Sequence, residues 1–409
     1  NPKSRIQTPK SGLPQIKAAS AILIDAVSGQ VLYEKNADQP RPMASTTKIM
    51  TALLFCERVS NENTFVVASK YASTIRESSL HLKPREKLSA HDLLRAILMR
   101  SANDACVAAA EHVAGSVPAF ANLMNQRAAQ LGCTHTHFVN PNGLHDKHHY
   151  TSARDLALIA RQAIQEPRIE EVTCLRHCRI TRSLDKFDVT MRNHSQKFLD
   201  KYAGADGIKT GWTIPAGHCF VGSATRDNWR LITVVLKSPD FVHETAALMD
   251  YGFAHFTPHV LARAGEAQGV CKVSGGVMET VPIVVRKTIQ VVLPKGADPS
   301  PGAVQTHIVL RPQIAPLRPG AEVGVLEAQL DGKTLCATPL TTTNGVSAAP
   351  RPPLTVGGHN ASKTLLWLTS IFLLGVVSLK YYGKGITTST KSARRRWRRL
   401  SKSVRNAHR

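Results

Sequence analysis

Apolar positions fall into two regimes along the chain. From about Ser20 to Phe256, short strand-like runs enclose longer stretches at helical spacing; from about Ala262 to Val346, only short runs remain, cut by Gly and Pro. Ser20–Val27 (SAILIDAV) and Gln30–Lys35 (QVLYEK) flank Ser28-Gly29, which predicts a hairpin. Ile49–Phe55 is apolar on nearly every side. That pattern predicts a buried helix, starting near Ser45 just after Pro42. Thr64–Ala68 reads as a strand. His91–Met99, Ala105–Val113 and Pro118–Leu131 read as helices, and another starts at Ser152 with Asp155 in its first turn. His135–Tyr150, with Asn140-Pro141-Asn142-Gly143, is a loop. Glu171–Arg192 fits exposed strands. His218–Thr225 and Arg230–Leu236 are strands joined at Asp227-Asn228, and a last helix covers about His243–Phe256. Strands at both ends with helices between predict an α+β domain on an antiparallel sheet, followed by a small all-β domain.

Composition changes the picture at the two ends. Residues 1–18 are polar, contain Pro2, Pro9, Gly12 and Pro14, and begin at Asn1, so they read as a linker left when a signal peptide is removed. Thr364–Leu379 carries no charge, lies between Lys363 and Lys380, and has Trp367, Tyr381 and Tyr382 near its ends. This is the pattern of a single transmembrane helix. The expected organisation is a linker over 1–18, the α+β domain over 19–260, the β domain over 261–347, a linker over 348–362, a membrane anchor over 363–383 and a basic tail over 384–409.

The net charge is +23, and Lys380–Arg409 alone holds eleven Lys or Arg with no Asp or Glu, leaving +12 for residues 1–379. The positive-inside rule puts the tail in the cytoplasm and everything before the anchor outside. A basic body suits an anionic surface or acidic polymer, and no nucleic-acid-binding motif accompanies it. The eight cysteines permit disulfides outside the cell, although Cys56 and Cys106 sit in apolar helical contexts that suit buried thiols. Cys174 and Cys178 lack a second matching pair for zinc. His145, His148 and His149 lack supporting ligands and read as a solvated loop, so no metal site is expected.

The chemistry is concentrated in three short motifs. Ser45-x-x-Lys48 puts a hydroxyl and an amine one helical turn apart, and a desolvated lysine can take a serine's proton. Ser101-x-Asn103 stands at a helix–loop boundary. Lys209-Thr210-Gly211 precedes a strand pair. Alone, each is a common accident: a cap, a turn, an entry to a strand. Their joint occurrence in this order is specific.

With these motifs the chain resembles low-molecular-mass penicillin-binding proteins, the serine-type D-alanyl-D-alanine carboxypeptidases. The likeness extends to Ile24-Asp25-Ala26 with Gly29 and Leu32-Tyr33, to Arg100–Cys106, to Asn140–Leu144 with Thr151–Asp155, and to Asp206–Gly211. It reaches the β domain through Ala315–Gly320 and Gly324–Pro339, covering roughly residues 18–346. The resemblance implies a penicillin-binding, transpeptidase-like fold with an accessory β domain. It implies Ser45 as nucleophile, Lys48 as its base, Ser101 as proton relay and Asn103 as an orienting amide. Lys209, Thr210 and Gly211 would hold the substrate, with the backbone N–H groups of Ser45 and Trp212 as oxyanion hole. The substrate would be a peptidoglycan stem peptide ending in D-Ala-D-Ala, β-lactams would act as covalent inhibitors, and no cofactor is implied. A β-lactamase and a catalytically weak penicillin-binding scaffold are the competing functions. Two departures from the family stand out. Trp212 replaces a usual histidine, and no arginine occurs between Arg230 and Arg263, leaving Lys237 or His243 as substitutes.

Overall fold

Ser20–Asp25 (β1) is buried at every position because it lies inside a sheet covered on both faces. The structure, a computed structural model, describes residues 12–184, 188–297, 304–330 and 332–350. The expected anchor and tail lie outside them. Among the described residues no helix is long and apolar enough to cross a membrane.

In the first domain, β1 pairs with Val31–Lys35 (β2) as the expected hairpin. A 3-10 turn, Ala44–Thr47, runs into α1 (Lys48–Arg58). Phe65–Val67 (β3) and Lys87–Ser89 (β4) form a small ribbon. Next come α2 (Ala90–Arg95), a π-helical turn at Ala96–Arg100, α3 (Asn103–Ala114) and α4 (Val117–Gln130). After the loop come α5 (Ala153–Ala163) and α6 (Pro167–Cys174). His177–Ile180 (β5) pairs with Val189–Arg192 (β6), and α7 (Gln196–Lys201) follows. Three long strands then complete the main sheet: β7 (Ala205–Thr213), β8 (Gly217–Arg226) and β9 (Trp229–Ser238), with α8 (Phe241–His255) after them.

The sheet order is β2-β1-β9-β8-β7, with every pair antiparallel. Chain-distant strands thus meet at its centre, as the sequence pattern predicts. Alternate residues serve opposite faces. Ile22 and Ile24 join Ile232, Val234 and Leu236 in the core shared with α1 and α5. Ala21 joins Phe220, Val235, Leu248 and Met249 in the core beneath α8. Part of Glu171–Arg192 departs from expectation. Its first residues are helical because Glu166 caps α6 and Pro167 occupies its first turn, a start signal that outranks the mixed pattern downstream. The helix α7 was likewise not expected.

The second domain is all β. Phe256–Ala262 (β10) follows α8 directly, and β11 (Ala267–Ser274), β12 (Thr280–Val285), β13 (Ile289–Pro294), β14 (Val304–Leu310), β15 (Gln313–Ile314), β16 (Glu322–Leu330) and β17 (Lys333–Thr342) come after it. The strands form a six-stranded sheet, β14-β16-β17-β12-β11-β15, and a β10-β13 pair. Their core is small and aliphatic, with Val281, Ile283, Val291, Val323 and Leu340 fully buried.

A buried seam joins the domains. Leu23, Leu32, Trp229 and Tyr251 pack with Phe256 and Val292. Asp25 is fully buried, and its carboxylate accepts from Ser28 N (2.6 Å), Ser28 Oγ (2.5 Å), Trp229 Nε1 (2.9 Å) and, from the β domain, Gln290 Nε2 (2.8 Å). Gln30 clasps Val292 twice: its Nε2 donates to the Val292 carbonyl (2.6 Å), and its Oε1 accepts from Val292 N (3.0 Å). Burial with every polar atom satisfied is what such a joint requires.

Candidate active site

Ser45 lies half-exposed in the 3-10 turn, and Lys48 is fully buried at the first residue of α1. The apolar run explains the burial of Lys48: every residue from Ile49 to Cys56 is in the core, so the helix that carries the lysine is sunk in it. Lys48 Nζ lies 2.9 Å from Ser45 Oγ, 2.8 Å from Asn103 Oδ1 and 2.5 Å from the Asn142 carbonyl. An ammonium would spend all three protons on these partners. A neutral amine would give two, to Asn103 Oδ1 and Asn142 O, and turn its lone pair to the serine hydroxyl. Burial pushes the Lys48 amine down to about 8, against an opposing pull from Cys106, Glu77 and Asp104.

The second motif is delivered by a backbone device. The π-helical turn ends at Ser101, whose φ of +64° and ψ of +34° are left-handed, and α3 starts two residues later. Such turns recur at functional sites. Asn103 is held at its backbone, where its N–H donates to the Ser78 carbonyl (2.6 Å), and at its amide, which donates to the Arg76 carbonyl (3.3 Å). Next to it, Asp104 accepts from Leu80 N (3.1 Å) and Leu82 N (2.9 Å), which ties the same loop to α3. Ser101 is buried, and its hydroxyl makes no hydrogen bond among the described residues.

The third motif lies on β7, the outermost strand on its side of the sheet. Gly211 presses against the turn of Ser45: a Cβ there would stand 2.9 Å from Ser45 N, 3.0 Å from Thr46 N and 3.1 Å from the Met43 carbonyl. Glycine is therefore required for strand and nucleophile to approach. Lys209 is fully buried and donates to the Thr210 carbonyl at 3.0 Å. Burial, and then the nearby Lys48, hold its amine well below the ordinary lysine range. A charged Lys48 beside it in a dry site disfavours a second charge on Lys209. Trp212 stands at the rim, 58% exposed, with its ring 6.4 Å from that of His218. Lys237 and His243 are both exposed, and neither hydrogen-bonds Thr210 among the described residues.

Two histidines that the sequence did not assign to the site belong to its surroundings. His149, expected in a solvated loop, is buried. Its Nδ1 accepts from Val139 N (3.1 Å), so its Nε2–H donates to Thr47 Oγ1 (2.8 Å), locking the loop to the residue before Lys48. Burial pushes it down to about 4, so it is neutral. In the same loop Gly143, at φ +84°, lies so close to Ala44 that a Cβ would meet the Ala44 carbonyl at 2.0 Å. His194 lies on the exposed cleft wall 3.2 Å from an Arg100 guanidinium nitrogen, and partial desolvation of its ring followed by Lys209, Arg100 and Lys48 pushes it down to about 4. A cleft of about 630 Å³ opens there, lined in part by Arg100, Arg192, His194 and Lys197. The turn Asn193-His194-Ser195 carried no recognisable signal. Among the described residues no three His, Cys, Asp or Glu side chains gather as a metal site, and all eight cysteines are free.

Comparison with known proteins follows the same division of the chain. Residues 6–240 match the family model for D-alanyl-D-alanine carboxypeptidase, and residues 256–348 match that for the C-terminal domain of penicillin-binding protein 5. The chain is 33% identical over 333 residues to D-alanyl-D-alanine carboxypeptidase DacF of Bacillus subtilis, covering 79% of this chain and 84% of that one. It is 34% identical over 349 residues to DacA of Escherichia coli, covering 82% and 85%. Among solved structures, penicillin binding protein 5 from Haemophilus influenzae superposes with a TM-score of 0.64 at 32% identity, over 82% of this chain and 99% of that one.

Proposed function

The chain belongs to the peptidase S11 family of D-alanyl-D-alanine carboxypeptidases, and from that premise we propose how its residues carry the reaction. It is a serine-type DD-carboxypeptidase acting on peptidoglycan, with a penicillin-binding-protein-5-like C-terminal β domain. Ser45 Oγ attacks the carbonyl carbon of the penultimate D-alanine while its proton passes to Lys48 Nζ. The carbonyl oxygen takes up the negative charge between the backbone N–H groups of Ser45 and Trp212. As the C–N bond breaks, Lys48 returns the proton through Ser101 to the departing D-alanine amine. Water then adds to the Ser45 ester, again losing a proton to Lys48, and as the ester bond breaks Lys48 returns that proton to Ser45 Oγ. Asn103 fixes the direction of the Lys48 lone pair. Lys209 and Thr210 receive the substrate's terminal carboxylate, whose arrival favours a proton on Lys209.

The observation that carries this reading is the Lys48 amine: fully buried, lowered to about 8 and 2.9 Å from Ser45 Oγ. The purified protein should release D-alanine from a peptide ending in D-Ala-D-Ala and be labelled covalently by penicillin. Ser45→Ala should lose both activities. Release of D-alanine by that variant would sink the assignment.

The surroundings of the reaction follow from the sequence. The catalytic domain works outside the cytoplasmic membrane, residues 363–383 anchor it, and the basic tail over 384–409 faces anionic lipid on the inner side. The uncharged run Thr364–Leu379 and the eleven basic residues after it support this. Fractionation of cells checks it: the protein should stay with membranes in high salt, and removal of residues 363–409 should free it. Retention of the truncated protein would overturn the anchor.

A further inference from the structure

A second cavity, of about 480 Å³, lies where the two domains meet, in the size range of small-ligand sites. One wall is the hairpin turn after β1 and the end of α5. The other is the β12–β13 turn and the middle of β17. Four cations line it, Arg161, Arg230, Arg286 and Lys287, and no Asp or Glu does.

Arg230 is neutralised by ion pairs, and Arg161 lies near one carboxylate. Arg230 pairs with Asp206 (2.8 Å) and Glu170 (2.6 Å). Arg161 spends Nε on the Ala26 carbonyl (2.9 Å) and Nη2 on the Val27 carbonyl, which hold the guanidinium rigid without cancelling its charge. The adjacent carboxylate, Asp25, takes its hydrogen bonds from the neutral groups of Ser28, Trp229 and Gln290, and its field favours the charge on Arg161 from behind the cavity wall. Arg286 and Lys287 have no carboxylate partner among the described residues, and Lys287 Nζ reaches across the cavity to Gln165 Oε1 at 2.8 Å. Burial, Arg161 and Arg286 lower the Lys287 amine from its usual range. Arg286 and Lys287, at the exposed mouth of the cavity, and Arg161 deeper in it are close enough to repel one another, an arrangement that an anion relieves.

We propose that this interdomain cavity binds a phosphomonoester, held by Arg286 and Lys287 from the β domain and by Arg161 and Gln165 from the catalytic domain. Two cations without a carboxylate partner, Arg286 and Lys287, backed by Arg161, suit a dianion better than a single carboxylate. The planar Arg286 guanidinium can grip two phosphoryl oxygens, and Lys287 adds a mobile point charge. The Thr288 hydroxyl accepts from Ala264 N (3.2 Å) and keeps its own proton to donate. The volume exceeds a bare phosphate, which leaves room for a small organic portion. A ligand gripped from both walls binds the joined form of the protein and stabilises it. The phosphoryl group could belong to a soluble metabolite or to a lipid headgroup, and the two differ in the apolar part that the cavity must accept.

Thermal unfolding of the full chain in detergent tests this at constant ionic strength. Glycerol 3-phosphate and dihexanoyl phosphatidic acid are the probes. A saturable rise in Tm is expected with at least one, and the tighter of the two identifies the source. The double variant Arg286→Gln, Lys287→Gln should weaken binding at least tenfold and leave D-alanine release unchanged. Gln165→Glu, which puts a carboxylate opposite Lys287, should weaken it too. Three results would overturn the site: no saturable shift with either probe, an equal shift with sodium chloride, or undiminished affinity in the double variant.

Discussion

The active site and the domain seam both bury charged groups, and they use them in opposite ways. At the seam the Asp25 carboxylate accepts four hydrogen bonds from three residues, so nothing about it is left to react. At the active site Lys48 is as deeply buried, but it faces a second buried lysine and a hydroxyl that can itself give up a proton. Full hydrogen bonding turns a buried charge into a rivet. Desolvation without an ion-pair partner turns it into a base.

The strongest way to break that contrast is to replace Lys48 with a cation that cannot deprotonate. Lys48→Arg should lower kcat/KM roughly a thousandfold, the scale of general-base catalysis. In the wild type, kcat/KM should climb with pH to a plateau above about 8, as Lys48 loses its proton. Appreciable turnover by the arginine variant, or a flat profile from pH 6 to 9, would remove Lys48 from the role of base.

Asp25→Ala probes the rivet. It leaves Trp229 Nε1 and Gln290 Nε2 without their acceptor at a buried joint. The expected cost is about 4 kcal/mol by urea denaturation, the range for breaking a buried charged network. At low temperature the folded fraction should still release D-alanine at the wild-type rate. A stable but inactive Asp25→Ala would mean that the seam takes part in the chemistry.

His149 gives the smallest and most specific test. Its folded value, about 4, lies below the ordinary histidine value of 6.5. The unfolded chain therefore takes up the proton first as pH falls. The stabilisation is complete above pH 6.5 and is lost progressively toward pH 4, by roughly 3 kcal/mol in all. His149→Gln should flatten the stability curve across that window, as read by urea denaturation at successive pH values. An unchanged slope would exclude His149 as its source.

The sequence exposed what is local and concealed what is distant. Ser45 and Lys48 are three residues apart on one helix start, and the apolar run behind them announced that the lysine would be buried. The hairpin, the long strands β8 and β9 and the sheet that unites them were equally readable, because each depends on short-range alternation. The seam was not. Asp25 meets Gln290 and Gln30 meets Val292 across more than 260 residues, and an isolated Asp or Gln in a strand gives no sign of its partner. The same holds for His149, which reaches Thr47 over 102 residues and looked like one more polar residue in a histidine-rich loop. The misread helix α6 differs in kind: Glu166-Pro167 is a local start signal that the mixed pattern after it masks.

The order β2-β1-β9-β8-β7 limits how such an enzyme can grow or assemble. The margin formed by β7 carries Lys209, Thr210 and Gly211. An extra strand added there, or a second copy docked edge to edge, would roof over Ser45 and silence the enzyme. The β2 margin has no such duty. Insertions and strand-mediated dimers compatible with turnover are thus confined to one side of the sheet, while the other must stay bare for the polymer that the enzyme trims.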